Sequence, residues 1–282
     1  MEDEILPGIS DTDTQFLSEI IYKKYGYDFS DYSQASFKRR LDKAIMGFRI
    51  QNFEELTAKI CGDELFFNSF LEEITVNVTE MFRDPDFYKA LRQEVIPQLS
   101  AHPLIRIWHA GCSTGEEVYS MAILLKEAGL LERSLLYATD INQQVLAKAS
   151  LGKFPIDAIL EQSDNYIMTG GLNNLSDYYV AQFGKAVFHS ELRDRMVFSP
   201  HNLVFDQSFN EFNLILCRNV LIYFNRDLQD KVVKLFSDSL PTSGFLALGT
   251  KESIDFSHFG NHFETINRQQ RIWKKKKSIV AL

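Results

Sequence analysis

The stretch Ile105-Arg106-Ile107-Trp108-His109-Ala110-Gly111-Cys112-Ser113-Thr114-Gly115-Glu116-Glu117-Val118-Tyr119-Ser120-Met121-Ala122-Ile123-Leu124-Leu125 decides the fold. Its first part is a short apolar run of the kind that forms a buried strand. The chain then breaks at Gly111 to Gly115. It resumes as a helical run with Val118, Met121, Ala122 and Leu125 on one face. Strand, glycine turn and helix in succession describe a binding loop, because glycine permits close backbone approach and a helix start offers free amides. An ordinary strand-to-helix turn with a well-capped helix has the same signature.

Glu116 and Glu117 sharpen the chemistry. Two carboxylates suit the positive end of a helix dipole. They would repel a pyrophosphate, so the loop fits a ligand with a positive group. A sulfonium with an amino-acid tail, S-adenosylmethionine, fits better than a dinucleotide. Leu135 to Asp140 reads as the next strand and ends in an acid, the position where adenosine cofactors place their ribose diol. Asp140 also fits as a helix cap for Gln143 to Leu151, although Asn142 can supply that cap instead.

Working outward, the first quarter is helical, with helices over Thr14 to Tyr25, Tyr32 to Phe48, Phe53 to Ile60 and Glu64 to Glu73. In the second, Phe37, Leu41, Ala44, Ile45 and Phe48 share one face. Lys38, Arg39, Arg40, Lys43 and Arg49 make residues 36 to 50 basic by a net +4, in a chain of formal net charge −8. Such a helix can dock on an acidic partner, and an ordinary solvated face has the same pattern. From Ile74 the sequence reads as extended, then polar, up to a Pro-led helix at Pro85 to Leu99. Asn77, Thr79 and Arg83 are the polar positions of that segment, which is either a domain linker or a wall of the cofactor mouth.

Beyond Asp140 the α/β alternation is interrupted over 154–196, which reads as an inserted subdomain with small antiparallel strands. Met196 to Val204 resumes the sheet, with Asn202 in the next loop. Leu214 to Cys217 is a buried strand with Arg218-Asn219 at its carboxyl end, where open α/β sheets bind ligands. Asn225 caps a helix from Arg226 to Leu240. Gly244 to Gly249 is another strand, and Phe263 to Ile266 with Arg271 to Trp273 make a closing hairpin. Lys274 to Lys277 reads as a solvated tail.

Composition narrows the class. Apolar content of 45% and charged content of 24% describe a globular protein. The acidic balance argues against nucleic acid as a partner. Cys61, Cys112 and Cys217 form no CxxC pair, and no Cys/His spacing suggests a metal. The acidic start is no secretory signal and no run could span a membrane, so a cytoplasmic setting is expected.

Together these motifs resemble the chemotaxis receptor methyltransferases, the CheR family. The resemblance rests on the basic helical start, N-x-T-x-x-x-R at Asn77 to Arg83, S-T-G-E-E at Ser113 to Glu117, Asp140, H-N-L at His201 to Leu203 and C-R-N-V-L-I-Y-F at Cys217 to Phe224. Val118 departs from it, since members often carry proline there. The implied architecture is a small all-α domain (1–76) before a Rossmann-like α/β S-adenosylmethionine-dependent methyltransferase domain (77–282) that carries a small antiparallel β insertion.

The implied reaction is methyl transfer to glutamate γ-carboxylates on the cytoplasmic domain of a methyl-accepting chemoreceptor, leaving S-adenosylhomocysteine. The implied cofactor contacts are Asn77, Thr79, Arg83, Glu117, Asp140, Asn202, Leu203, Arg218 and Asn219. Arg83 and Tyr223 are implied to lie nearest the methyl group. The basic helix is implied to meet the acidic receptor, and the protein to act as a monomer without a metal. A nicotinamide oxidoreductase, a nucleic-acid methyltransferase, a methyltransferase with a non-receptor protein substrate and a non-catalytic signalling module remain as alternatives.

Overall fold

A computed structural model describes residues 9–75 and 79–277. The chain divides into two compact units. One comprises 1–77 with 223–229, the other 78–222 with 230–282.

The first unit is built on helices α1 (Asp11–Tyr25), α2 (Gln34–Phe48), α3 (Phe53–Gly62) and α4 (Glu64–Thr75). Helix α1 opens on a reciprocal cap: the Ser10 hydroxyl accepts the Asp13 N–H, and the Asp13 carboxylate accepts the Ser10 N–H, each at 3.1 Å. It closes on Gly26 at φ 77°, the left-handed conformation that glycine adopts without cost. Leu17, Ile21, Phe37, Leu41, Leu56, Ile60, Phe67 and Phe70 interlock as its core.

Ile74 and Thr75, expected to be extended, are instead the last turn of α4. Phe67, Phe70, Leu71 and Ile74 recur at helical spacing and are all buried, so packing outweighs their β-branched neighbours. The later segment 223–229 completes this unit. The Ser33 N–H donates to the Tyr223 carbonyl at 2.8 Å and the Asn225 N–H to the Asp31 carbonyl at 2.9 Å. Tyr32 and Phe224 meet edge to face at 5.1 Å.

Among the described residues, the second unit carries ten strands. They are β1 (Ile105–Ala110), β2 (Ser134–Asp140), β3 (Lys153–Pro155), β4 (Tyr179–Gln182), β5 (Lys185–Phe188), β6 (Met196–Pro200), β7 (Leu214–Cys217), β8 (Phe245–Leu248), β9 (Phe263–Asn267) and β10 (Ile272–Lys275). Seven form one sheet in the order β6-β2-β1-β7-β8-β10-β9. The first five run parallel, and β10 is antiparallel to both its neighbours. Strands β7 and β8 are buried along their whole length, as parallel strands covered on both faces must be.

From β1 the chain winds outward to β2 and β6, then returns to β7 on β1's other side. That reversal opens a crevice at the carboxyl ends of β1 and β7, the place where such sheets bind ligands. The helix over 85–99 is continuous but widened, since the Ile96 N–H reaches back five residues to the Leu91 carbonyl just before Pro97.

Strands β3, β5 and β4 form a separate antiparallel sheet within the expected insertion. Buried Glu127, at the end of the helix Glu116–Glu127, anchors this region. Its carboxylate accepts the Tyr166 and Tyr178 hydroxyls and the Leu172 N–H, and pairs with Arg92.

Lys274 and Lys275, expected in a solvated tail, lie in β10. The Lys275 ammonium donates to the Ser237 and Leu240 carbonyls at 2.6 and 2.7 Å, satisfying the end of the helix Arg226–Ser239.

Candidate functional site

The loop after β1 is folded by its neighbour β2. The Gly111 and Cys112 N–H groups both donate to the Thr139 carbonyl, at 2.8 and 2.9 Å. Gly111 has φ 79° and Gly115 φ 97°. A Cβ on Gly111 would come within 2.5 Å of Val220, and one on Gly115 within 2.8 Å of Ala149. These glycines therefore let the loop pack against the protein itself; the close approach they provide is to Val220 and Ala149.

Asp140 ends β2 almost fully buried. Its Oδ2 accepts the Ser113 N–H and its Oδ1 the Asn142 N–H, each at 2.9 Å. Burial pushes its carboxyl up, and those amides pull it part of the way back. Asn142, not Asp140, caps the next helix, accepting the Gln144 N–H at 2.9 Å. The His201 N–H donates to the Asp140 carbonyl at 3.2 Å, which brings Asn202 and Leu203 beside the acid. The Asn202 side-chain oxygen accepts the Val204 N–H, holding that turn.

Glu117 sits in the first turn of the loop helix between His109 and Arg218. Oε1 lies 2.9 Å from His109 Nδ1 and Oε2 3.2 Å from Arg218 Nη1. Burial would raise its carboxyl, but His109 and Arg218 together outweigh that and hold it below the ordinary range. Glu116 accepts the Thr114 hydroxyl at 2.6 Å, and burial outweighs this and pushes its carboxyl up to about 6.

Arg218, expected among the cofactor contacts, turns its guanidinium inward. Its side chain is 2% exposed. It bridges Glu117, Asp84 (2.6 Å) and the Arg83 carbonyl (3.2 Å), and lies 4.0 Å over the Phe87 ring. A buried guanidinium must spend its donors on internal acceptors, so Arg218 fastens the Arg83-Asp84 segment to the loop helix. Asn219, at φ 62°, is held by Glu252. That buried carboxylate accepts the N–H groups of Asn219 (2.9 Å), Gly249 (2.6 Å) and Ile222 (3.2 Å).

Thr79 and Arg83 are half-buried on the same segment. Asn77 lies outside the described residues. Tyr223 belongs to the helical unit, where its ring carries the Arg40 guanidinium at 3.5 Å.

The basic helix α2 is corrected at one position. Arg40 was expected on the docking face, yet it is 4% exposed and donates to the Ile74 carbonyl at 2.7 Å. It falls between Phe37, Leu41 and Ala44 on the buried face, and the aromatic ring of Tyr223 receives its charge. Lys38 pairs with Asp11 at 2.7 Å and Lys43 with Glu73 at 3.8 Å, while Arg39 and Arg49 are exposed.

Sequence reasoning missed His109, Asp84 and Glu252. A histidine inside an apolar strand and an acid just after a strand end were the available signals.

The residues present fit an adenosyl cofactor that carries a sulfonium and an ammonium group. Glu116, Glu117 and Asp140 offer acceptors, and the Ser113 hydroxyl is buried without a partner among the described residues. Cys112 and Cys217 are buried and their thiols pushed far up by that burial, so neither serves as a thiolate. Among the described residues no cluster could hold a metal ion and no helix is long and apolar enough to cross a membrane.

Residues 77–272 match the family model described as CheR methyltransferase, SAM binding domain, and residues 12–75 match CheR methyltransferase, all-alpha domain. A Pseudomonas putida protein bearing the methyltransferase name Cher3 is 48% identical over 266 residues, spanning 94% of this chain and 97% of that one. A chemotaxis protein methyltransferase of Borreliella burgdorferi is 30% identical, covering 84% of this chain and 87% of its own. Chemotaxis protein methyltransferase 1 of Vibrio cholerae is 28% identical, covering 87% and 90%. The match runs through both units and meets the acceptor-lined crevice that the sheet reversal opens: the chain belongs to the CheR methyltransferase family, with S-adenosylmethionine as its cofactor.

Proposed function

We propose that this chain methylates the γ-carboxylates of glutamates on the cytoplasmic helices of methyl-accepting chemoreceptors. The observation that carries the reading is the set of carboxylates Glu116 and Glu117 at the start of the loop helix and Asp140 at the end of β2, which suits a cationic adenosyl donor and no pyrophosphate. The names of the relatives, chemotaxis protein methyltransferases, support the receptor as substrate.

When bound, the cofactor supplies an electrophilic methyl group on a sulfonium that is already a good leaving group. A glutamate carboxylate, with an ordinary pKa of about 4.3, is already anionic at pH 7. The chain therefore has no proton to remove. Its work is to hold the reactants in line and exclude water. Asp140 would hold the ribose hydroxyls, Asn202 and Leu203 the adenine, and Glu117 the ammonium of the amino-acid tail. Arg83, tethered through its carbonyl by Arg218, orients the substrate carboxylate. Exposed Arg39 and Arg49 give helix α2 a surface that attracts acidic receptor helices.

The test is transfer from methyl-labelled cofactor to a purified receptor cytoplasmic fragment, followed by mild alkali. A carboxyl ester releases labelled methanol. Label that survives alkali would show that the methyl is not on a carboxylate and overturn the reading.

A further inference from the structure

We infer that His109 is a positioning residue for the cofactor: its Nδ1–H holds Glu117 open against capture by Arg218. This rests on the S-adenosylmethionine reading of the crevice.

His109 is the polar residue in the buried half of β1. Its backbone is paired with Ala138 of β2 on one side and Leu216 of β7 on the other. Its side chain is 0% exposed. An imidazole in such a place is costly unless it is bonded. Its bond is to Glu117 Oε1, and Glu117, held below the ordinary carboxylate range, is ionised at neutral pH. A carboxylate only accepts, so Nδ1 carries the proton.

The alternative partner explains why this bond matters. An arginine and a carboxylate left alone prefer the two-pronged pairing, in which both oxygens face both nitrogens. Here Arg218 reaches Glu117 through Nη1 only, while Nη2 is engaged by Asp84 and the Arg83 carbonyl. His109 occupies the other oxygen. The carboxylate is thus suspended between a strand and a loop, one oxygen on each. Without His109, Oε1 would be free to turn away toward Arg218, and the ammonium of the cofactor's tail would lose its acceptor.

Two near-isosteric variants separate this role from simple packing. His109→Asn places an amide N–H close to the Nδ1 position; His109→Gln places it at the Nε2 position, which does not face Glu117. Calorimetric titration of the full chain with S-adenosylhomocysteine should find His109→Asn within about threefold of the parent. His109→Gln and His109→Ala should bind roughly tenfold or more weakly, the scale of one hydrogen bond to a charged group. With S-adenosylmethionine as the varied substrate, the loss should fall on KM with kcat nearly unchanged.

If His109→Gln binds as well as His109→Asn, or if kcat falls and KM does not, His109 only fills space and the inference is overturned. Should His109→Ala not fold, the Asn and Gln pair still decides. Failure of the parent chain to bind S-adenosylhomocysteine would instead overturn the cofactor reading beneath it.

Discussion

Lowering the pH should weaken cofactor binding through Glu116 before it harms the fold. Glu116 stands in the first turn of the loop helix with the Thr114 hydroxyl as its neighbour, and burial raises it to about 6. Above that value it is an anion that attracts the cationic donor; below it the attraction is lost. If binding requires the ionised form, the apparent Kd rises as one plus ten to the power (pKa − pH). Between pH 8 and pH 5 that amounts to about elevenfold.

The sign for the unliganded fold is the opposite. A carboxyl raised in the folded state is a cost above about pH 6, relieved as it takes a proton. Acidification through this window therefore removes a strain from the fold while it weakens the ligand. Glu117, held low, stays ionised throughout. Isothermal titration with S-adenosylmethionine at half-unit steps from pH 8 to pH 5, beside circular dichroism at each step, reads both effects. Glu116→Gln should flatten the profile. A flat profile for the parent chain, or a Gln variant that keeps the full slope, refutes the reasoning.

Asp140→Asn keeps the shape but sets an NH2 group against either the Ser113 or the Asn142 N–H; S-adenosylhomocysteine affinity should fall at least tenfold, on the scale of a buried unsatisfied group, as read by calorimetry. Glu252→Gln replaces an acceptor of several amides with a group that opposes one of them. It should weaken the cofactor about ten- to a hundredfold while near-ultraviolet dichroism stays native; retained affinity would show that the 218–222 loop holds itself. Arg40→Ala removes the bond to the Ile74 carbonyl and the stack on Tyr223, so hydrogen exchange in α2 and α4 should speed by a factor corresponding to about 2–4 kcal/mol. Glu127→Ala should release the anchored region, seen as new limited-proteolysis cuts between 163 and 178 and little change in cofactor affinity.

The elements that could be read from the sequence are those whose signal is local. The β1–loop–helix run, the strand ending at Asp140, its Asn142-capped helix and the buried strand before Arg218 each carry their own periodicity and punctuation, and each is where it was read. Residues whose role depends on partners far along the chain were less legible. Arg40 reads as one more charge in Lys38-Arg39-Arg40 until Ile74 and Tyr223 are brought to it. Arg218 sits beside Asn219 in sequence, yet the structure sends its side chain back to Asp84, more than a hundred residues earlier. Glu252 lies in an unremarked Gly-Thr-Lys-Glu stretch and acts only because the sheet sets the ends of β7 and β8 side by side. Lys275 reads as tail because the run of lysines masks the Ile272-Trp273 strand that leads into it.

The membership of 223–229 in the helical unit bears on how the chain is made. Synthesis proceeds from the amino end, and domains that emerge first normally fold first. Helices α1 to α4 leave the ribosome early, but the segment that carries Tyr223 and Phe224 follows about 150 residues later. At ordinary translation speeds that is a wait of roughly 7 to 30 s. For that interval Arg40 has no Tyr223 ring to cover it and Tyr32 no Phe224. The unit that is synthesised first is the one that cannot close until most of the other has been made.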